Sequence, residues 1–240
     1  MPAIPEPLPI AVIGAGPVGL AAAAHLVRRG LAVQVFEAGG AAAAHLGTYR
    51  HVRLFSPWRY NVDHAARALL EAEGWVMPPE DQLPTAGELV DGYLAPLARS
   101  AALAPRIRYG ARIAAISRAG HDKVKTAGRQ GSPFVLRVQT SAGEEEVRAS
   151  AVIDASGTWS NPNPMGAAGL PAIGEEECSD VVAYGIPDVL GDRRPHYAGQ
   201  RVLVIGAGHS AANALLDLAR LADHDPKLRL TWAVRGQNLD

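Results

Sequence analysis

Residues with the spacing of a phosphate cradle stand near the start of the sequence. Gly14, Gly16 and Gly19 form G-x-G-x-x-G within IAVIGAGPVGLAAAAHLVRRGLAVQVFE, residues 10–37. In such a unit Gly14 permits the tight turn and Gly16 lets the backbone approach a pyrophosphate. Gly19, with Ala23, allows a helix to pack closely on a strand. A helix opening at Pro17 would aim its unpaired N–H groups and positive dipole end at the phosphates, with Ala15 and Val18 in the cradle. Glu37, followed by Ala38, closes the unit, where a carboxylate can accept hydrogen bonds from ribose hydroxyls. That suits a free 2′-hydroxyl, as in FAD or NAD, and disfavours NADP. The competing reading is a phosphate-free α/β turn with a solvated Glu37.

A second cradle follows late in the chain. Gly206, Gly208 and Ala211 give G-x-G-x-x-A, with His209 and Ser210 on the turn. Arg235 stands at the end of the next predicted strand, in the place taken by Glu37 in the first unit. A guanidinium there matches a 2′-phosphate in charge and bidentate geometry. NADPH is favoured over NADH on this ground; the alternative is a solvated arginine. Ser210 lacks the G-x-S-x-G setting of a hydrolase nucleophile. The histidines show neither HxxxH nor HExxH spacing, so no metal site is expected. No catalytic residue can be chosen.

Composition limits the function classes. The chain has 240 residues, 23 basic and 24 acidic, for a net charge of −1. No basic excess exists to neutralise nucleic-acid phosphates or to hold an anionic membrane. Arginine outnumbers lysine heavily and alanine abounds, as in GC-rich bacterial coding sequences. Cys178 is the one cysteine; it allows no internal disulfide, no CxxC pair and no cysteine zinc site, and fits a reducing cytoplasm. Residues 8–27 carry no Asp, Glu, Lys or Arg, which borders on a membrane span. The internal glycines and Pro17 argue instead for a buried strand and helix. Residues 1–9 have no basic residue and do have Glu6, unlike a signal peptide.

These motifs need a scaffold. Strands are predicted over 9–13 and 32–36, with a helix over 17–29 between them. A helical turn over 41–44, a helix over 63–73 and a helix over 85–100 follow, the last opened by a Thr85–Glu88 capping box. Strands over 107–116, 134–140 and 144–148 form a meander, and 151–154 is a further buried strand. Residues 159–195 are rich in Gly and Pro and read as a connector. A strand over 201–205, a turn and helix over 206–221 and a strand over 228–234 complete the chain.

Four segments together resemble the two-dinucleotide-binding-domain flavoproteins, and within them the flavin-containing monooxygenases and their bacterial oxidoreductase relatives. They are the first fingerprint; LPTAGELVDGYL, residues 83–94; VIDASGTWSNPNP, residues 152–164; and VLVIGAGHSAANALLDLA, residues 202–219. The monooxygenase identifying sequence FxGxxxHxxxF/Y is not recognisable. The missing CxxC excludes a disulfide reductase with an internal cysteine pair.

The resemblance implies an α/β fold. A Rossmann-like FAD domain with a β-meander spans 1–165, a connector 166–200, and the start of a Rossmann-like NAD(P)H domain 201–240. It implies FAD and NADPH as cofactors, with NADH possible. Backbone at Ala155, Ser156 and Gly157 would run near the FAD. In the segment YRHVRLFSPWRYN, residues 49–61, Phe55, Ser56, Pro57 and Trp58 would lie near the flavin, and Arg50 or Arg53 would reach phosphate or substrate. A surface loop with inward aromatics is the alternative. Ile113 joins the cofactor set, and Trp159 reads as a packing residue. The implied activity is FAD-dependent oxidation of NADPH, leading to oxygenation of a small nucleophilic substrate or to electron transfer. A non-catalytic nucleotide-binding fragment and a flavin-free NAD dehydrogenase are the rivals. The one β-α-β that begins at about Arg201 falls short of the βαβαβ of a mononucleotide-binding half, so an incomplete enzyme is expected. The oligomeric state is left open.

Overall fold

A computed structural model describes residues 7–166 and 168–236. The chain divides into two compact units, 1–157 and 158–240. The division falls between Gly157 and Thr158, just before the Gly- and Pro-rich stretch 159–195. The leader reading concerns residues 1–9, of which the first six lie outside the described residues.

In the first unit the elements are β1 (Ile10–Ile13), α1 (Pro17–Arg28), β2 (Val33–Phe36), α2 (Trp58–Asn61), α3 (His64–Glu71), α4 (Ala86–Leu89), α5 (Ala95–Arg99), β3 (Ile107–Arg108), β4 (Arg112–Arg118), β5 (Phe134–Thr140), β6 (Gly143–Ala149) and β7 (Ala151–Asp154). A four-stranded sheet runs β3-β2-β1-β7, with parallel pairing throughout. The antiparallel sheet β4-β5-β6 is the meander.

Strand periodicity sorts the core. Val12, Val33 and Val35 face one layer with Leu20, Ala23 and Ala24 of α1 and with α3 and α5 residues such as Leu70 and Leu97. Ala11 and Phe36 face the other layer, with Leu136 and Val138 of the meander. Successive side chains on a strand point to opposite faces, so helices cover one face of the parallel sheet and the meander the other. The charge-free stretch 8–27 is thus β1, a turn and α1. No helix among the described residues is long and apolar enough to cross a membrane.

Two expectations need correction. The strand predicted over 107–116 is two strands in two sheets. β3 extends the parallel sheet beside β2, the chain turns at Tyr109–Ala111, and β4 opens the meander. The helix predicted over 85–100 contains a π-helical segment, Val90–Leu94, between α4 and α5. Pro96 has no N–H to offer the carbonyl four residues back, and its ring would crowd it. That carbonyl, Gly92 O, accepts the Trp75 indole N–H at 2.7 Å instead. The expected capping box is present: Glu88 N–H donates to Thr85 Oγ1, and Thr85 N–H to Glu88 Oε2.

The second unit holds α6 (Arg194–Tyr197), β8 (Arg201–Ile205), α7 (His209–His224) and β9 (Arg229–Ala233). β8 and β9 pair in parallel as a two-stranded sheet. The irregular stretch before them is organised by Glu175, which is buried. Its carboxylate accepts from the Met165 and Ala172 N–H groups and from the Tyr184 hydroxyl. The Tyr184 bond, followed by the Ala172 N–H, holds the carboxyl below its ordinary pKa range.

Candidate dinucleotide site

The first glycine turn is built as its sequence requires. Gly14 has φ of +95°, and a Cβ there would lie 2.6 Å from Ala155 O. Its N–H donates to Phe36 O at 2.7 Å, tying the turn to the end of β2. At Gly19 a Cβ would sit 1.9 Å from Gly14 O, so the helix presses against the turn. At Gly16 a Cβ would meet nothing within 4 Å. These glycines therefore have different jobs: Gly14 and Gly19 close the protein on itself, and Gly16 faces open space. Pro17 occupies the first turn of α1, which has no side-chain cap and no acidic residue. Val18 is exposed there. The first N–H groups of such a helix have no intrahelical partner and carry its positive end.

Glu37 is 8% exposed. Its Oε2 accepts the Ala15 N–H at 2.7 Å and its Oε1 accepts the Gly39 N–H at 2.7 Å. A carboxylate has about four lone-pair sites, so two acceptor positions remain beyond this clamp. The Glu37 backbone is held too, its N–H by Arg108 O and its carbonyl by the Ala111 N–H. Gly39 escapes the sequence motif, yet a Cβ there would meet Ala44 Cβ at 2.7 Å and Glu37 Oε1 at 3.1 Å. Ala38, between the two, is exposed.

Ala155 and Ser156 come directly to this turn. Ala155 N–H donates to Ile13 O at 2.9 Å, and Ser156 Cα lies 3.3 Å from the Cβ position of Gly14. Asp154, within the quoted motif but given no role there, shapes the loop: its Oδ1 accepts the Ser156 hydroxyl at 2.7 Å and N–H at 3.0 Å. Those two bonds, the hydroxyl first, lower its pKa. Gly157, exposed, ends the unit.

Other expected residues stand in other surroundings. Ile113 pairs with Val138 and packs on the meander core beside a register shift. Ser56 Oγ–H donates to Asn61 Oδ1 at 2.9 Å, and Phe55 is exposed. Arg50 donates to Asp91 Oδ2 at 2.5 Å, and both side chains are exposed. Arg53 donates to Leu83 O. Trp58 is 4% exposed within the helical core, 3.4 Å from the Cβ position of Gly92. It is a packing residue, and its part of the segment takes the inward-aromatic alternative.

The second turn repeats the first in backbone. Gly206 has φ of +119°. Its N–H donates to Ala233 O at 3.0 Å, as Gly14 N–H does to Phe36 O. α7 opens at His209 behind Gly208, whose Cβ position is again open. Ser210 is exposed, and Ala211 Cβ stands 4.0 Å from the Cβ position of Gly206. Ile205 pairs with Ala233 as Ile13 pairs with Phe36. The register counterpart of Glu37 is therefore Val234. Arg235 corresponds to Ala38, one residue further than the sequence comparison puts it, and is exposed.

One cluster was invisible to spacing rules. His25 Nε2 lies 3.0 Å from Asp63 Oδ2, across 38 residues of sequence, and His64 Nδ1 lies 3.8 Å from the same oxygen.

Residues 11–237 match the family described as pyridine nucleotide-disulphide oxidoreductase. The chain belongs to this family. No curated protein sequence matches it. Among solved structures it is similar to a bacillithiol disulfide reductase from Bacillus cereus, with 20% identity over 98% of this chain and 60% of that one and a TM-score of 0.67. A flavin-containing monooxygenase from Stenotrophomonas maltophilia gives 24% identity, 97% and 59% coverage and a TM-score of 0.62. The FAD-bound cadaverine monooxygenase of desferrioxamine biosynthesis from Erwinia amylovora gives 16% identity, 98% and 53% coverage and a TM-score of 0.67. At these identities the likeness is one of fold. The chain spans about 60% of the length of the first of these. Despite the family's description, Cys178 is the single cysteine of the 240 residues, so they contain no internal cysteine pair.

Proposed function

We propose that the chain is the dinucleotide-binding part of an FAD-dependent oxidoreductase that takes hydride from NADPH and acts on a small molecule, in the manner of a flavin monooxygenase. FAD takes residues 1–165, NADPH takes residues 201–240, and residues 166–200 connect them. The single observation carrying this reading is the clamped Glu37 carboxylate beside a glycine turn that is open only at Gly16. The fit is chemical: N–H groups for phosphate, a charged acceptor for ribose hydroxyls, and no Cβ where backbone must be approached. Gly14, Ala15, Gly16 and the first turn of α1 would hold the pyrophosphate, Glu37 the ribose, and Ala155–Gly157 would border the cofactor. When bound, flavin supplies two-electron chemistry between nicotinamide and an acceptor. The chain's own part is to bind and orient the cofactors.

Gly16→Val tests this. Its new side chain enters open space, so the variant should stay folded, less stable only by the poorer N-cap that valine makes for α1, while losing FAD. Wild-type protein incubated with FAD and desalted should retain a visible flavin spectrum. A colourless wild type after reconstitution refutes the proposal. A second reading, flavin binding without turnover, is favoured by the two-stranded β8–β9 sheet. It predicts the same spectrum with no NADPH oxidation.

A further inference from the structure

We propose that His25, Asp63 and His64 form a binding site for a divalent transition-metal ion of the zinc type. α1 presents His25, and Asp63 and His64 begin α3, which packs against α1. One ligand atom from each residue lies within 4.8 Å of the other two. Zinc ligands at about 2.0–2.2 Å in tetrahedral array stand roughly 3.2–3.6 Å from one another. The observed 3.0 Å and 3.8 Å edges at Asp63 Oδ2 bracket that spacing. The third edge, between the imidazoles, closes by rotation of His64, whose side chain is 79% exposed.

Asp63 is already oriented for this. It is the N-cap of α3, and its Oδ1 accepts the Ala65 and Ala66 N–H groups at 2.8 and 3.1 Å. Its own N–H donates to the Tyr93 hydroxyl. Oδ2 is thereby turned toward the imidazoles.

The His25 ring fixes what a metal must displace. Arg29 Nη1 lies 3.2 Å from Nδ1, and a guanidinium only donates. Nδ1 therefore accepts, and the ring proton sits on Nε2, facing Asp63 Oδ2. A metal ion takes the place of that proton, and the proton moves to Nδ1. Arg29 gives up the ring but keeps its bond to His25 O at 3.0 Å. Coordination by neutral His25 and His64 and by ionised Asp63 involves no redox change. Two imidazoles and one carboxylate suit zinc, cobalt or nickel; calcium and magnesium take oxygen ligands. His25 is about 13 Å along α1 from Gly16 at helical rise. The site is thus separate from the glycine turn and does not depend on the flavin reading.

The test uses the tag-free, metal-stripped full chain and zinc chloride in a calorimeter. Wild type should bind one zinc ion per chain, and its melting temperature should rise with zinc because the ion joins α1 to α3. His64→Ala alters an exposed ring, and Asp63→Asn keeps a good N-cap, so circular dichroism should show both folded. Each should weaken zinc by about tenfold or more, since even partners behind the ligands cost that much. Cobalt bound by wild type should give a ligand-field spectrum that both variants lose. Cys178→Ser should leave affinity unchanged. The proposal is overturned by the absence of saturable zinc binding, by wild-type affinity in His64→Ala and Asp63→Asn, or by binding that disappears with Cys178.

Discussion

Replacing Glu37 by glutamine should destabilise the protein with no nucleotide present. The carboxylate accepts two backbone N–H groups, from Ala15 and Gly39, each at 2.7 Å, and is 8% exposed. Hydrogen bonds to a charged acceptor contribute about 1.5–3 kcal/mol each. A glutamine amide retains one oxygen, so one bond survives in weaker, neutral form. Its NH2 group then faces the other N–H, donor against donor, in a place that water barely reaches. The net loss is about 2–4 kcal/mol. For a chain of this size that corresponds to a melting temperature lower by roughly 5–15 °C. The assay is thermal unfolding followed by far-ultraviolet circular dichroism, wild type against Glu37→Gln, without FAD. If the two melt within about 1 °C of each other, the clamp contributes nothing, and the inference that Glu37 organises the turn fails. FAD affinity should fall as well, but the apo measurement separates this claim from the identity of the ligand.

Two further outcomes follow from geometry away from the turn. Trp75→Phe removes the indole N–H that serves Gly92 O beside Pro96, and should cost about 1–3 kcal/mol in urea unfolding; an unchanged midpoint would mean that the carbonyl finds another donor. Asp63→Ala removes the α3 N-cap and should cost about 1–2 kcal/mol at neutral pH. Because the folded Asp63 pKa is lowered from 3.8, this contribution is complete above that value. It fades as pH falls through the lower folded value. Urea midpoints of wild type and Asp63→Ala should therefore converge at acid pH, and a constant gap would contradict the direction of the shift.

The sequence motif for the first turn was legible because each glycine has a local steric reason, and Val12, Val33 and Val35 alternate with the sheet. The meander strands read over 134–140 and 144–148 are β5 and β6, the second one residue longer at each end. The break within 107–116 was not legible. Apolar residues keep strand spacing across it, and what divides it is partner choice: Arg108 accepts from Glu37, and Ala111 donates back to Glu37. Spacing along one strand carries no information about which strand lies beside it. The Gly39 and Asp154 contacts are local, each joining a carboxylate to a group two residues on. Many Asp and Glu residues have such neighbours, and spacing alone does not mark the ones that bond. The His25–Asp63 pair needs α1 and α3 packed together, which no spacing rule for metal ligands encodes.

The two glycine turns share a backbone and differ in how a ligand would be told apart. Gly14 and Gly206 make the same bond to the last residue of the following strand. From there the first turn continues into Glu37 and the second into Val234, with Arg235 one residue on. The Glu37 clamp accepts two backbone N–H groups, and a guanidinium only donates, so Arg235 cannot repeat it. At the first turn the group suited to ribose also holds Ala15 and Gly39 in place, so altering it disturbs the turn itself. At the second, Arg235 lies beyond the β9 residues, Arg229–Ala233, that pair with β8, and replacing it removes no strand partner. The Glu37 carboxylate is therefore tied to the fold of the first unit, whereas Arg235 lies outside the strand pairing of the second.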